Sequence, residues 1–401
     1  MKTGWRMVRL GELCKTSSGG TPLKSKKEYY EGGSIPWLLS GEVAQGEIIQ
    51  ATNFITQKGL ENSSAKLFPP NTVLVAMYGA TAGQVGVLRI EASTNQAVCG
   101  IFPNEYFVPE FLFYLLLSRK DELIAKAAGN AQPNISQQKI RDTLVPIVPP
   151  PDQQRIVDIL DEAFEAIAVA RANAEQNRQN ARALFESYLQ SVFSQRGNGW
   201  INKPLSELCD IKHGFAFKSE YFTNEGDYTL LTPGNFFETG GYRDRGDKQK
   251  FYSGDIPQGF LLEAGDLLVA MTEQAAGLLG SPIIVPSQGK FLHNQRLGLV
   301  SGKPGIPWLN EFFFHVFNTQ AVRQAIHESA SGAKVRHTSP TKIGAVTVAF
   351  PTSIEEQKAI VATLDTLTIE TQRLESLYQR KIAVLDELKQ SLLHQAFSGN
   401  L

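Results

Sequence analysis

Only three cysteines occur in the 401 residues, Cys14, Cys99 and Cys209, an odd number without metal-ligand spacing. That excludes a disulfide framework or a zinc module as the organising device. They are expected to be small buried residues kept reduced. No stretch approaches the ~20 apolar residues of a membrane span, and no apolar signal segment opens the chain. A soluble protein of the cytoplasm, without membrane contact, is expected. Charge of one sign is missing too: the net value is −1, far from the strongly basic domain that marks many nucleic-acid binders. Catalytic signatures are absent as well. There is no G-x-x-x-x-G-K-S/T loop, no G-x-G-x-x-G turn, no G-x-S-x-G elbow, no H-E-x-x-H helix and no Asn/Asp-Pro-Pro-Tyr/Phe motif. The chain reads as a binder.

What the sequence does contain is a duplication. Residues 152–194 and 356–398 carry one heptad pattern at a constant offset of 204. The first seam reads Ile156, Leu160, Ala163, Ile167, Ala170, Ala174, Asn177, Ala181, Leu184, Tyr188 and Ser191. The second reads Ile360, Leu364, Leu367, Thr371, Leu374, Tyr378, Lys381, Leu385, Leu388, Leu392 and Gln395. Alternating spacings of four and three, sustained this long without Pro or Gly, predict a coiled coil. Alanines of the first seam face large counterparts in the second, which fits an intramolecular pair packed to interior density. Asn177 and Lys381 are expected to act as register devices. Each helix would be roughly 64 Å long, whereas the segment joining them has a radius of gyration of roughly 15 Å. A return along the whole rod is out of reach, so the helices are expected to run antiparallel with a pseudo-twofold relation.

Four segments follow: a head at 1–150, a long helix at 151–195, a second head at 196–351 and a second long helix at 352–401. The heads carry net charges of +3 and +1 and the helical segments −3 and −2. Their sequences align in patches. Trp5 through Leu10-Gly-Glu-Leu-Cys14 matches Trp200 through Leu205-Ser-Glu-Leu-Cys209, and Leu74-Val-Ala-Met-Tyr78 matches Leu268-Val-Ala-Met-Thr272. Short apolar runs ending in polar, Gly-terminated loops predict strands. A single helix is expected at 110–127 in one head and 310–328 in the other. Strands with few helices make each head α+β. All six histidines lie at 213 or beyond, so chemistry common to both heads cannot use histidine.

In this order the motifs resemble the specificity subunit of type I restriction–modification enzymes. The matching stretches are Ile35-Pro-Trp-Leu, Thr94-Asn-Gln-Ala, Gln132-Pro-Asn-Ile-Ser, Val145-Pro-Ile-Val-Pro-Pro-Pro and Gln153-Gln-Arg-Ile-Val. The second head departs from the pattern, with one proline, Pro351, at its helix entrance and Arg336-His-Thr338 in place of Asn-Ile-Ser. The resemblance implies two target-recognition domains, each reading half of a split target in double-stranded DNA. It also implies a helical spacer that docks two methyltransferase subunits and, through them, restriction/translocase subunits. S-adenosylmethionine would then sit on the methyltransferase, with no cofactor on this chain and no catalysis by it. The alternative reading is a coiled-coil scaffold whose heads bind protein or RNA.

Candidate contacts follow from residue chemistry. Thr21, Lys24, Lys26 and Lys27 could grip phosphates, or simply be solvated. Lys218 is a further candidate, and Arg243, Arg245, Lys248 and Lys250 are a denser set, but interleaved Asp244 and Asp247 suit a surface salt network equally. Tyr78, Thr81 and Gln84, with Thr272 and Gln274, follow apolar strands and present hydroxyl and amide groups of the kind that reads base edges; a plain turn is the competing reading. Gln132 and Asn134 in the first head pair with Lys334, Arg336 and His337 in the second. Asn95-Gln96 and Asn294-Gln295 recur at equivalent places and are expected to cap backbone rather than read bases.

Overall fold

The computed structural model describes residues 5–125, 134–197, 199–273, 277–332 and 335–398. It divides into two compact units, Met1–Glu175 with Gln379–Leu401, and Gln176–Tyr378.

In the first unit, Val73–Ala76 is buried along its whole length at the middle of a five-stranded sheet. The order is Thr16–Ser18, Val98–Ile101, Val73–Ala76, Val85–Leu88, Glu47–Ile48. Strand side chains alternate between faces, so Val73, Val75 and Met77 enter one core and Leu74 and Ala76 another. The first core holds Leu10, Phe111, Ile156, Leu160, Leu393 and Phe397. The second holds Leu38, Ile48 and Phe68, beside a four-stranded sheet in which Ile35–Leu38 runs parallel to Ala92–Thr94. The second unit repeats the plan. Leu267, Val269 and Met271 face a core with Phe312, Phe350 and Val361, while Leu268 and Ala270 face Phe236 and Phe291. Tyr228–Leu230 again runs parallel to Lys290–Leu292. Each head is mixed α and β, as expected.

The long helices are Pro150–Ser194 and Ile354–Ser398, 45 residues each. They begin two residues before the heptad segments at 152 and 356, which is one residue before the expected start at 151 and two after that at 352, and keep the offset of 204; proline is tolerated in a first turn because its missing N–H has no helical partner there. In the first unit the start of one helix lies beside the end of the other: Phe111 meets Phe397 at 5.3 Å and Arg171 pairs with Asp386 at 3.2 Å. In the second unit Phe193 packs on Trp200 and Phe312, and Arg182 pairs with Glu375 at 2.9 Å. Within each unit the pair is therefore antiparallel.

The predicted seam needs correction beyond its middle. Ile156, Leu160, Ile167 and Ala174 are buried, whereas Leu184 is 70% exposed and Leu189, 4% exposed, is buried instead. In the second helix Leu364 is buried and Ile360, Leu374, Tyr378 and Leu385 are half-buried. Lys381 is exposed and Ile382 is buried in its place. At Ala174, and at its counterpart Tyr378, two spacings of four meet, 170–174–178 and 374–378–382. A 3-4-4 run unwinds the supercoil locally and moves the seam by one residue. Asn177 and Lys381 thus lie outside the seam and are not register devices. A second correction concerns the head helices, each of which is broken into two. Pro109–Ser118 precedes Lys120–Ala125, and Asn310–Asn318 precedes Gln320–Glu328. At the breaks Ser118 donates to the Leu115 carbonyl and Thr319 to the Val316 carbonyl, both at 2.7 Å. Carbonyls at a helix end lack the usual partner four residues on, and that of Val316 also accepts the Thr319 N–H at 3.1 Å.

The shared helix entrance is a clamp between helix and head. Gln153 is fully buried; its Nε2 donates to the Tyr106 and Val148 carbonyls at 2.7 Å each, and its Oε1 accepts from the Val108 N–H at 2.8 Å. Gln357 donates to Pro307 and Pro351 at 2.9 and 3.0 Å. Two turns on, Asp161 accepts from the Tyr114 hydroxyl and Asp365 faces His315 at 3.4 Å.

Candidate nucleic-acid interface

Antiparallel pairing gathers four strand ends, and the three loops that serve them, at one end of the central sheet in each head. In the first head, Thr16–Ser18 and Val73–Ala76 finish there, while Val98–Ile101 and Val85–Leu88 start there. This places Thr21, Gln96, Tyr78 and Gln84 at one end. Close approach of the loops depends on glycine. A Cβ on Gly19 would lie 2.1 Å from Thr94 Oγ1, and one on Gly214 would lie 2.0 Å from the Asn294 carbonyl oxygen. Asn95 and Asn294 do cap backbone: their Oδ1 atoms accept from the N–H two residues on, at Ala97 and Arg296, both at 3.1 Å.

Two groups of candidates that are far apart in sequence meet here. Tyr78 and Asn134 form a backbone bridge, anchored by the Ile135 N–H to the Met77 carbonyl at 2.9 Å. In the second head Thr272–Glu273 pairs with Arg336–His337, anchored by the Thr338 N–H to the Met271 carbonyl at 2.9 Å. Thr272 Oγ1 lies 3.3 Å from His337 Nδ1. Tyr78 is 39% exposed, so its ring is available to a partner. Thr81 is half-buried and donates back to the Tyr78 carbonyl at 3.4 Å. Thr21 donates to the Gln96 side chain.

Other candidates are occupied or lie elsewhere. Lys26 packs on Tyr29 with Nζ 3.2 Å from the hydroxyl, and Lys27 pairs with Glu31 at 3.8 Å. Lys24 is exposed and makes no ion pair among the described residues. Lys218 pairs with Glu220 at 3.7 Å. Arg243 stacks 4.6 Å above Phe237 and pairs with Glu238 at 3.0 Å. Its loop reaches the sheet end, because the Gly241 N–H donates to the Pro282 carbonyl and Ser281 donates to the Phe237 carbonyl at 2.6 Å. Arg245 and Lys248, on the same loop, carry no ion pair among the described residues. The guanidinium of Arg336 lies against His327, donating to its carbonyl at 2.5 Å. His327 in turn contacts the buried Glu273 at 3.0 Å, whose other oxygen accepts from the Gly277 and Leu279 N–H groups. Arg336 thus braces the loop, which its residue type did not disclose. Gln132, Gln274 and Lys334 lie outside the described residues.

Burial pushes the thiols of Cys14, Cys99 and Cys209 up to about 12, which keeps them protonated and unreactive at neutral pH. Among the described residues no cluster of His, Cys, Asp and Glu could hold a metal ion, and no helix is long and apolar enough to cross a membrane.

The pattern of the type I restriction modification DNA specificity domain matches residues 2–176 and, again, 197–383. The chain belongs to this family. It is 25% identical over 373 residues to the EcoprrI specificity subunit of Escherichia coli, covering 89% of this chain and 86% of that protein. It is 30% identical over 158 residues to the EcoR124I/EcoR124II specificity subunit of E. coli, covering 38% and 39%. With EcoR124I/EcoR124II, MjaIX and EcoBI the matched region spans only 39%, 52% and 44% of the relative's length. Its fold is like that of a chain from a type I R-M system, solved to describe complex assembly and conformational transition. The TM-score is 0.81 at 21% identity, covering 100% and 99% of the two chains. The HsdS subunit from Thermoanaerobacter tengcongensis is similar at TM-score 0.64 and 20% identity, over 100% and 98%. The duplicated sheet plan is therefore the specificity-domain fold, present twice.

Proposed function

We propose that this chain is the non-catalytic, sequence-reading subunit of a type I restriction–modification complex, acting on a bipartite target in double-stranded DNA. The observation that carries this reading is the convergence of Tyr78 with Asn134, and of Thr272 with His337, at matching sheet ends in both heads. Hydroxyl, amide and imidazole groups held on a rigid sheet end suit base edges in a groove. Unpaired Lys24, Arg245 and Lys248 suit phosphates, which fix register without reading sequence. Divergent residues on a repeated frame suit an asymmetric target, one half-site per head.

Partner docking on the helices has its own support. Leu184 and Leu388 occupy equivalent positions and are 70% and 45% exposed, one in each unit. They offer two like apolar contacts for two methyltransferase subunits, which would bring S-adenosylmethionine and recruit restriction/translocase subunits, all in the cytoplasm. Gel shift on duplex DNA, with and without the methyltransferase subunit, tests the reading. Exchange of residues 1–150 for the head of a relative is expected to change one half-site only. Heads that retain protein or RNA but no duplex would favour the scaffold reading.

A further inference from the structure

The two sheet ends differ at one position in a way that bears on what each head reads. Ala97 in the first head corresponds to Arg296 in the second: each follows the Asn-Gln pair, and each gives its N–H to the capping Asn at 3.1 Å. The Arg296 carbonyl accepts from the Met271 N–H at 2.9 Å, so its backbone is tied to the residue before Thr272. Thr272 in turn contacts His337. Arg296 is exposed, and its guanidinium makes no hydrogen bond or ion pair among the described residues. Most other cations of this head are engaged, Arg245 and Lys248 being the exceptions named above. Lys212 donates to the Gly259 carbonyl at 2.7 Å and lies over Phe260, Lys218 and Arg243 are paired with carboxylates, and Arg336 braces His327. A free arginine, backbone-fixed beside a Thr–His pair, has the donor fork that matches the O6 and N7 acceptors of guanine.

We infer that Arg296 is the guanine-reading residue of the second head, so that the half-site read by this head contains a G·C pair that Arg296 specifies. The first head has no counterpart at this position and presents Thr21, Gln96, Tyr78 and Asn134 there instead. This inference rests on the DNA-reading role proposed above.

The test uses the full chain reconstituted with its methyltransferase subunit and a library of randomised duplexes, sequenced after selection. Wild type is expected to enrich a split motif with a guanine in one half. Arg296→Ala is expected to lose an about 5- to 100-fold preference for that one base, leaving the other half-site and the gap unchanged. Arg296→Lys keeps a weaker preference, since an ammonium lacks the planar fork. Two outcomes would overturn the inference. One is an unchanged motif with weaker binding to every sequence and a salt slope reduced by about 1, the signature of a phosphate contact. The other is a relaxed position that is not a G·C pair. Failure of wild type to enrich any duplex would instead overturn the DNA-reading role itself.

Discussion

Replacing Gln153 by alanine isolates the joint between the first head and its helix. Three backbone partners, at 2.7, 2.7 and 2.8 Å, lose their hydrogen bond to a side chain that is itself fully buried. Each bond contributes about 1 kcal/mol net, and an orphaned buried group adds about 1–3 kcal/mol unless water reaches it. A loss of roughly 3–5 kcal/mol follows for the first unit. The equivalent Gln357→Ala removes two bonds, at 2.9 and 3.0 Å, and Gln357 Oε1 already accepts none. That change should cost about 2 kcal/mol, in the second unit. Urea unfolding measures the loss, and amide hydrogen exchange at Val108 locates it, because the N–H of Val108 donates to Gln153. A Gln153→Ala loss below about 1 kcal/mol, or unchanged protection of Val108, would refute the clamp.

Other expectations bear on stability, spacing and assembly. Burial lowers His293 from 6.5 to about 4, and Leu297, a neutral carbonyl, is its hydrogen-bond partner; stability from the neutral ring is complete above about pH 6.5 and lost as pH falls towards 4. Acid unfolding of the second unit should show this loss, and His293→Gln should flatten it. Gly214→Ala should destabilise the second head by about 3 kcal/mol or more, since the new methyl meets backbone rather than a flexible side chain; a thermal shift of less than a degree would contradict that. Removing 164–170 and 368–374 together should shorten the gap between half-sites in methylation maps without altering either half. Leu184→Asp with Leu388→Asp should abolish co-purification of the methyltransferase subunit while leaving the chain folded by circular dichroism.

The sequence by itself determined the duplication, the long helices and the presence of the central strands. Those follow from local pattern: constant 204-residue spacing, a 3-4 pattern without breakers, and short apolar runs that end in polar, Gly-terminated loops. Capping by Asn95 and Asn294 was legible too, because the bond spans two residues. Tertiary structure decided the rest. The seam moved by one residue after Ala174 because burial is settled by the partner helix, and no local rule distinguishes Asn177 from Arg178 as the residue to turn outward. Arg336 became a brace and Arg296 stayed free, although both are arginines in polar loops; the difference lies in His327, which only the fold brings to one of them. Tyr78 and Asn134 sit 56 residues apart in sequence, and only antiparallel strand pairing makes them neighbours. Periodicity is a property of the chain, whereas a site is made by contacts between distant segments.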